Sequence, residues 1–401
     1  MSIFNKEEIQ NESTPTDFVN YVIQEAFLAG VSDIHIEALK DKGRIRFRIN
    51  GDIIDSEIDL PLDQLPLVAN SLKVMANLSY QTSELPEDGH FSANYRNAHG
   101  TFEEVDIRLS IFPTIHGDAI VLRILNQSEI LLSMAELGMD ADSLMKLKKL
   151  SMKSYGMILI NGPVGSGKTT TMYSIISELS KSEDKKNIIT LEDPVEYNFD
   201  LIRQSQIKTA VGFTFAEGMK AILRQDPDIV MIGEIRDGET AAYALEAALS
   251  GRSVFSTIHA NSAIGTISRL IDLKIERGLF SYALNGAIAQ RLVKKICPAC
   301  SQDHTPPQDF IQILGLENEN IAYKKGAGCT ECNGTGFKGR MGIFEILEFN
   351  DSIRSAIIER RSNEDIIAVA RKTGFETLME DAIKKIKNGD ITIEDVIKVV
   401  L

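Results

Sequence analysis

Residues 158–176 read ILINGPVGSGKTTTMYSII. The apolar run Met157–Ile160 has strand character, the glycine-rich middle has turn character, and the sequence from residue 169 onward reads as helix. Gly162, Gly165, Gly167, Lys168 and Thr169 fit G-x-x-x-x-G-K-[ST]. Glycines let such a loop curl with its N–H groups inward, and the following helix adds the positive end of its dipole. In this pattern Lys168 would reach the β- and γ-phosphates, and the Thr169 hydroxyl would ligate Mg²⁺. The whole stretch Gly162, Pro163, Val164, Gly165, Ser166, Gly167, Lys168, Thr169 and Thr170 is therefore the candidate nucleotide cradle. The motif predicts phosphate binding and leaves open what the phosphate drives.

Outward from the loop, helix and strand alternate. Helix is predicted over 141–151, strand over 157–160, helix over 169–180 and strand over 187–191. Strand 228–232, helix 238–249 and strand 252–257 follow. Such alternation predicts a parallel α/β sheet with the nucleotide at the carboxyl ends of the strands. Upstream, residues 13–37 read as a capped amphipathic helix ending near Gly30, then a strand. GRIRFRINGDII alternates apolar and polar residues and turns at Asn50-Gly51, a hairpin signal. A helix near Leu65–Met75 and strands over 104–111 and 118–125 complete a small α+β module. The predicted layout is a polar tail (1–12), an α+β domain (13–126), a linker (127–133) and a P-loop α/β domain (134–401). The last of these includes a tetracysteine subdomain (297–335) and a helical region (340–401).

At 401 residues, 43% hydrophobic and 25% charged, the chain has the composition of an ordinary globular protein. No apolar run approaches the length of a transmembrane helix, and the polar start resembles neither signal nor transit peptide. A cytoplasmic protein is expected. The net charge of −14 and the lack of Trp argue against a nucleic-acid-binding surface. The four cysteines form two C-x-x-C pairs, Cys297/Cys300 and Cys329/Cys332. This spacing suits a closed, structural tetrahedral Zn²⁺ site.

Carboxylates follow two of the predicted strands. Glu192 and Asp193 close IITLED, and Glu234 closes DIVMIGE. A carboxylate beside a P-loop can hold the Mg²⁺ shell or polarise the attacking water. His259 and Asn261, in STIHANSA, follow a third strand, where an imidazole or amide would sense a γ-phosphate.

The order GPVGSGKTTT, ITLEDPVEY, RQDPDIVMIGEIRD and STIHANSA closely resembles the secretion ATPases that drive type II secretion and type IV pilus assembly. The resemblance runs from about residue 16 to the end and takes in SDIHIE, GRIRFRINGDI, LPEDG and DIRLSIFPTIHGDAIVLRIL upstream. It implies a RecA-like P-loop core joined to an amino-terminal PAS-like domain, in a cytoplasmic homohexamer that hydrolyses ATP. It also implies association with an inner-membrane platform protein. By this resemblance Arg108 and Arg123 act on the nucleotide phosphates, with Arg236 and Arg340 as further basic candidates. Assembly and secretion members carry the tetracysteine insert, whereas retraction members generally lack it. Departures from the family pattern stand at Ala38, His90 and Lys220, where proline, arginine and arginine are usual. Few residues precede the PAS-like module, so docking through the extra amino-terminal domain of many relatives is not expected. The rival readings are a RecA-like nucleic-acid translocase, a retraction ATPase and a nucleotide-gated scaffold with little turnover.

Overall fold

The structure is a computed structural model that describes residues 14–58, 60–79, 85–97, 100–125 and 131–400. The expected tail (1–12) and residues 127–130 of the expected linker lie outside the described residues. The chain divides into two compact units. One comprises Met1–Glu129, Cys297–Ser301 and Gly326–Gly339; the other comprises Ile130–Ile296, Gln302–Lys325 and Arg340–Leu401.

The first unit opens with α1 (Pro15–Leu28), capped by the Thr14 hydroxyl, which accepts from Asp17 N at 3.2 Å. Proline at the first helical position and a left-handed Gly30 after the end (φ 69°) bound this helix. Then come β1 (Val31–Ala38), β2 (Gly43–Ile49), β3 (Asp52–Asp55), α2 (Leu65–Met75), β4 (Glu87–Arg96), β5 (Phe102–Thr114) and β6 (Gly117–Leu125). The strands form one antiparallel sheet in the order β3-β2-β1-β6-β5-β4. Alternation sorts its faces. Ile34, Ile36, Ile45, Phe47, Ile107, Leu109, Ile120 and Leu122 enter a core with Val22, Ile23 and Leu72 of the helices. Asp33, His35 and Glu37 point the other way and meet Arg48, Arg46 and Arg44 in register. β4 is a strand that the sequence pattern did not announce, because its exposed positions outnumber its buried ones.

The second unit runs α3 (Ala141–Ser151), β7 (Gly156–Asn161), α4 (Lys168–Ser180), β8 (Ile188–Glu192), β9 (Arg203–Gln206), α5 (Phe215–Ile222), β10 (Ile229–Ile232), α6 (Gly238–Leu249) and β11 (Ser253–Ile258). It continues with α7 (Gly265–Asp272), α8 (Arg277–Ala283), β12 (Leu284–Ile296), β13 (Ser301–Asp303), α9 (Gln308–Ile313), β14 (Lys324–Gly326) and β15 (Phe337–Glu348). Helices α10 (Asp351–Ile358), α11 (Asn363–Arg371), α12 (Leu378–Lys387) and α13 (Ile393–Val400) end the chain. β13 and β14 form a small two-stranded sheet.

The main sheet has the order β15-β12-β7-β11-β10-β8-β9, and the pairings from β12 to β9 are parallel. All residues of β7 are buried, and they alternate between two cores: Met157 and Leu159 face one, Ile158 and Ile160 the other. Burial on both faces is what a parallel sheet covered by helices demands, and it explains the unbroken apolar run. β11 separates the P-loop strand from β10, a RecA-like order that sets the β10 carboxylate one strand away from the loop.

Two strands correct the sequence-based layout. The region from residue 340 was expected to be helical, yet it opens inside β15, which runs to Glu348 beside β12. β12 itself was not anticipated. Both carry apolar residues on both faces, a pattern that periodicity cannot tell from a buried helix. The helical expectation holds for the remainder, with α10 to α13 covering most of 351–400.

Candidate functional site

The site is assembled along the carboxyl edge of the parallel strands. Asn161 of β7 pairs with Ile258 of β11, Ser256 with Ile232 of β10, and Ile232 with Leu191 of β8. The segments that follow these ends (the loop from Gly162, His259, Glu234 and Glu192) are therefore neighbours by register.

The loop needs its glycines. Gly162 and Gly167 have φ of 151° and 85°. A Cβ at Gly162 would lie 2.5 Å from the Gln290 carbonyl oxygen, and one at Gly167 would lie 2.7 Å from Gln290 Nε2. Gln290 of β12 is buried and accepts a hydrogen bond from Thr171 Oγ1 at 2.7 Å, so it pins the loop from behind. Lys168 donates to the carbonyls of Gly162 and Pro163, both at 2.9 Å, and curls over its own loop. Burial lowers its pKa, with Arg291 adding to the fall and Glu234 opposing it. Pro163, Val164 and Gly165 are exposed, Ser166 is buried, and Thr169 and Thr170 are partly buried on the first turn of α4.

Glu234 is held by Arg236, and His259 Nε2 lies 3.5 Å from its Oε2. Burial alone would raise the Glu234 pKa, but the Arg236 guanidinium and His259 take it below the usual carboxylate value. Arg236 also reaches Asp193 Oδ2 at 3.7 Å, which links the loops after β10 and β8. Glu234, Arg236, Asp193 and His259 thus form one polar cluster.

Glu192 is set differently. It is 3% exposed and its carboxylate accepts from Tyr173 Oη, Thr190 Oγ1 and Gln204 Nε2. Asn261 is exposed, and its carbonyl accepts from Arg291 at 2.9 Å. Lys220 is stapled between Glu217 and Glu239 at 2.8 and 3.0 Å. Arg340 lies on an exposed stretch of β15. Within the first unit, Arg108 and Arg123 face each other across β5 and β6, and Arg123 Nε donates to Asp33 at 2.8 Å. His90 stands opposite Arg108.

Sequence reading missed Tyr173, Gln204, Gln290 and Arg291. For Tyr173 a signal existed: it follows Thr169 by one helical turn, so it shares the face that looks toward the site. Gln290 was hidden with its strand.

The four cysteines come together as expected. Their sulfurs lie within 4.8 Å of one another, with separations of 3.9, 3.8 and 3.7 Å for 297/329, 300/332 and 329/332. A tetrahedron with Zn–S of about 2.3 Å has edges of about 3.8 Å, so the spacing fits zinc. Gly328 N, Cys329 N and Gly336 N donate to Cys300 and Cys332 sulfurs at 3.2–3.3 Å, the surroundings a thiolate requires.

A RecA-like sheet with a P-loop on one strand and a carboxylate one strand beyond its neighbour defines a P-loop ATPase. A family profile, Type II/IV secretion system protein, matches residues 8–398. The chain belongs to this family. It is 41% identical over 384 residues to type II secretion system protein E of Dickeya dadantii, covering 95% of this chain and 74% of that protein. It is 40% identical over 390 residues to the type IV pilus assembly ATPase PilB of Thermus thermophilus, covering 96% of this chain but only 43% of that protein. Among solved structures, the pilus retraction motor PilT with bound ADP matches at TM-score 0.65 and 27% identity, over 96% of this chain and 97% of that one. The Legionella pneumophila ATPase DotB matches in fold at TM-score 0.70 and 21% identity, over 97% of each chain. Among the described residues, no helix is long and apolar enough to cross a membrane.

Proposed function

We propose that this chain is the motor that powers assembly of a type IV pilus, or of the pseudopilus of a type II secretion machine. It would work as a homohexamer on the cytoplasmic side of the inner membrane, docked on a platform protein. The observation that carries this reading is the cluster at the strand ends, where Glu234, Arg236, Asp193 and His259 stand beside the P-loop. The names of the relatives support the choice of machine, and the cysteine cluster favours assembly over retraction.

In the proposed mechanism Lys168 leaves the Gly162 and Pro163 carbonyls for the β- and γ-phosphates of ATP. The backbone of Gly162–Thr170 cradles the same groups. Thr169 would hold Mg²⁺, which neutralises phosphate charge when bound. Glu234, the more accessible carboxylate, takes the proton of the attacking water; Glu192, enclosed by its donors, serves the site by position. His259 senses the γ-phosphate through Glu234. Arg108 and Arg123 are assigned to the nucleotide phosphates by the family resemblance, where a guanidinium stabilises the charge that develops in the transition state. Asp193, Arg236 and Arg340 contribute to nucleotide binding. Cys297, Cys300, Cys329 and Cys332 would hold a structural zinc away from the chemistry.

The test is Lys168→Ala in the cell and in the tube. The variant is expected to accumulate normally, to lose ATP turnover and to abolish surface fibres or export. Fibres and export at wild-type levels would refute the motor role, and strong stimulation of wild-type turnover by DNA would favour a translocase.

A further inference from the structure

Tyr173 lies on α4, four residues beyond Thr169, and is fully buried. Its hydroxyl donates to Glu192 Oε2 and accepts from Glu196 N at 3.1 Å. The other Glu192 oxygen accepts from Thr190 and from Gln204 Nε2, the latter at 3.1 Å. The loop after β8 folds around this phenol. Phe199 packs edge-on against the Tyr173 ring at 5.3 Å, and Gln204 holds that loop through Phe199 N at 2.7 Å and the Tyr197 carbonyl at 2.9 Å.

One end of this network is the helix whose first turn carries Lys168 and Thr169. The other end is the Glu192-Asp193 segment, and Asp193 meets Arg236, the partner of Glu234. A buried carboxylate must have its lone pairs satisfied, and here the donor facing the nucleotide helix comes from that helix itself. Burial and the adjacent Glu192 charge push the Tyr173 pKa far up, so the hydroxyl stays protonated and keeps donating.

We propose that Tyr173 is a positioning residue for ATP hydrolysis: it ties the phosphate-holding helix to Glu192 and the loop of residues 193–199, so that nucleotide loading and carboxylate placement move together. The proposal rests on the P-loop reading above and adds to it a residue that touches no substrate. Its loss therefore acts on the chemical step and leaves the phosphate cradle intact.

Tyr173→Phe keeps the ring, its packing and its volume, and removes a single donor. The experiment compares wild type, Tyr173→Phe and Lys168→Ala in three measurements: single-turnover ATP hydrolysis, affinity for a fluorescent ATP analogue, and thermal melting. A hydrogen bond to a charged acceptor corresponds to about a tenfold to hundredfold effect. Tyr173→Phe is expected to slow hydrolysis by that factor, with affinity within about threefold of wild type and a melting temperature lowered by about 3–12 °C, the cost of one hydrogen bond lost from a buried carboxylate in a unit of this length. Hydrolysis slowed less than about fivefold overturns the proposal. So does a parallel loss of affinity, or a slowing that vanishes when the rates are compared at equal folded fraction, which marks a merely structural role. Lys168→Ala keeps the two ideas apart. If it hydrolyses like wild type, the P-loop reading fails; if it is inactive while Tyr173→Phe is fully active, only the positioning role fails.

Discussion

Glu234→Gln removes a charge and almost no volume, so its effects on folding and on chemistry are separable. In the protein as it stands, the carboxylate is held by Arg236 with His259 at 3.5 Å, and its pKa is lowered, so it is ionised at neutral pH. The Glu234 and Arg236 side chains are 20% and 57% exposed, which makes this a near-surface pair. Such pairs contribute up to about 1 kcal/mol, and Asp193 remains near Arg236 after the substitution. A loss of that size lowers a melting temperature by about 2–4 °C in a unit of this length. Loss of a general base costs far more, about a hundredfold to ten-thousandfold in rate. On the role proposed for Glu234 beside the γ-phosphate, removing its charge also leaves ATP binding as tight or tighter. Phosphate release, nucleotide affinity and melting should therefore separate cleanly. We expect kcat to fall at least about a hundredfold, affinity to hold, and melting to shift by less than about 4 °C. Turnover within about tenfold of wild type would refute the assignment of Glu234 as base.

Other consequences are equally open to measurement. Cys332→Ser should abolish a zinc content of about one ion per chain, as four-thiolate structural sites require; elemental analysis decides, and wild-type protein free of zinc would sink the assignment. On the role proposed for Arg123 at the transferred phosphoryl, Arg123→Ala should cut turnover at least about tenfold while sparing ATP affinity, as loss of a group that acts in the transition state does; unchanged steady-state turnover would count against it. Asp140 caps α3 through Ser143 N at 2.7 Å and meets Lys384 at 3.0 Å, and its pKa falls from 3.8 to about 2. A depressed folded-state pKa adds stability above the unfolded value and loses it as pH falls from about 4 toward 2. Asp140→Asn keeps a capping side chain but loses the charge pairing with Lys384 and should thus cost about 0.5–1 kcal/mol at neutral pH, and urea titrations should show that gap narrowing toward pH 3; an unchanged gap would contradict the linkage.

Much of the parallel core was legible because its signals are local. The P-loop strand, its glycines and α4 sit within twenty-five consecutive residues, Gly156–Ser180. The strands expected over 228–232 and 252–257 lie within a residue of β10 and β11. β12 and β15 escaped because a strand buried on both faces has no alternation to read. β4 escaped for the opposite reason, since too few of its residues are buried.

The sequence by itself determined which groups stand at the strand ends, namely the loop glycines, Lys168, Thr169, two carboxylates and a histidine, and it separately paired the four cysteines. Residue type and spacing suffice there, because each motif is completed within a few positions of the chain. Only the tertiary structure decided how the two carboxylates differ. Glu234 and Glu192 look alike as acids that end apolar strands. Yet one is drawn toward Arg236 and His259, while the other is enclosed by Tyr173, Thr190 and Gln204. That difference arises from donors on separate elements that meet only when the sheet forms. No local pattern encodes such a meeting, because the free energy of a buried carboxylate depends on what surrounds it in space.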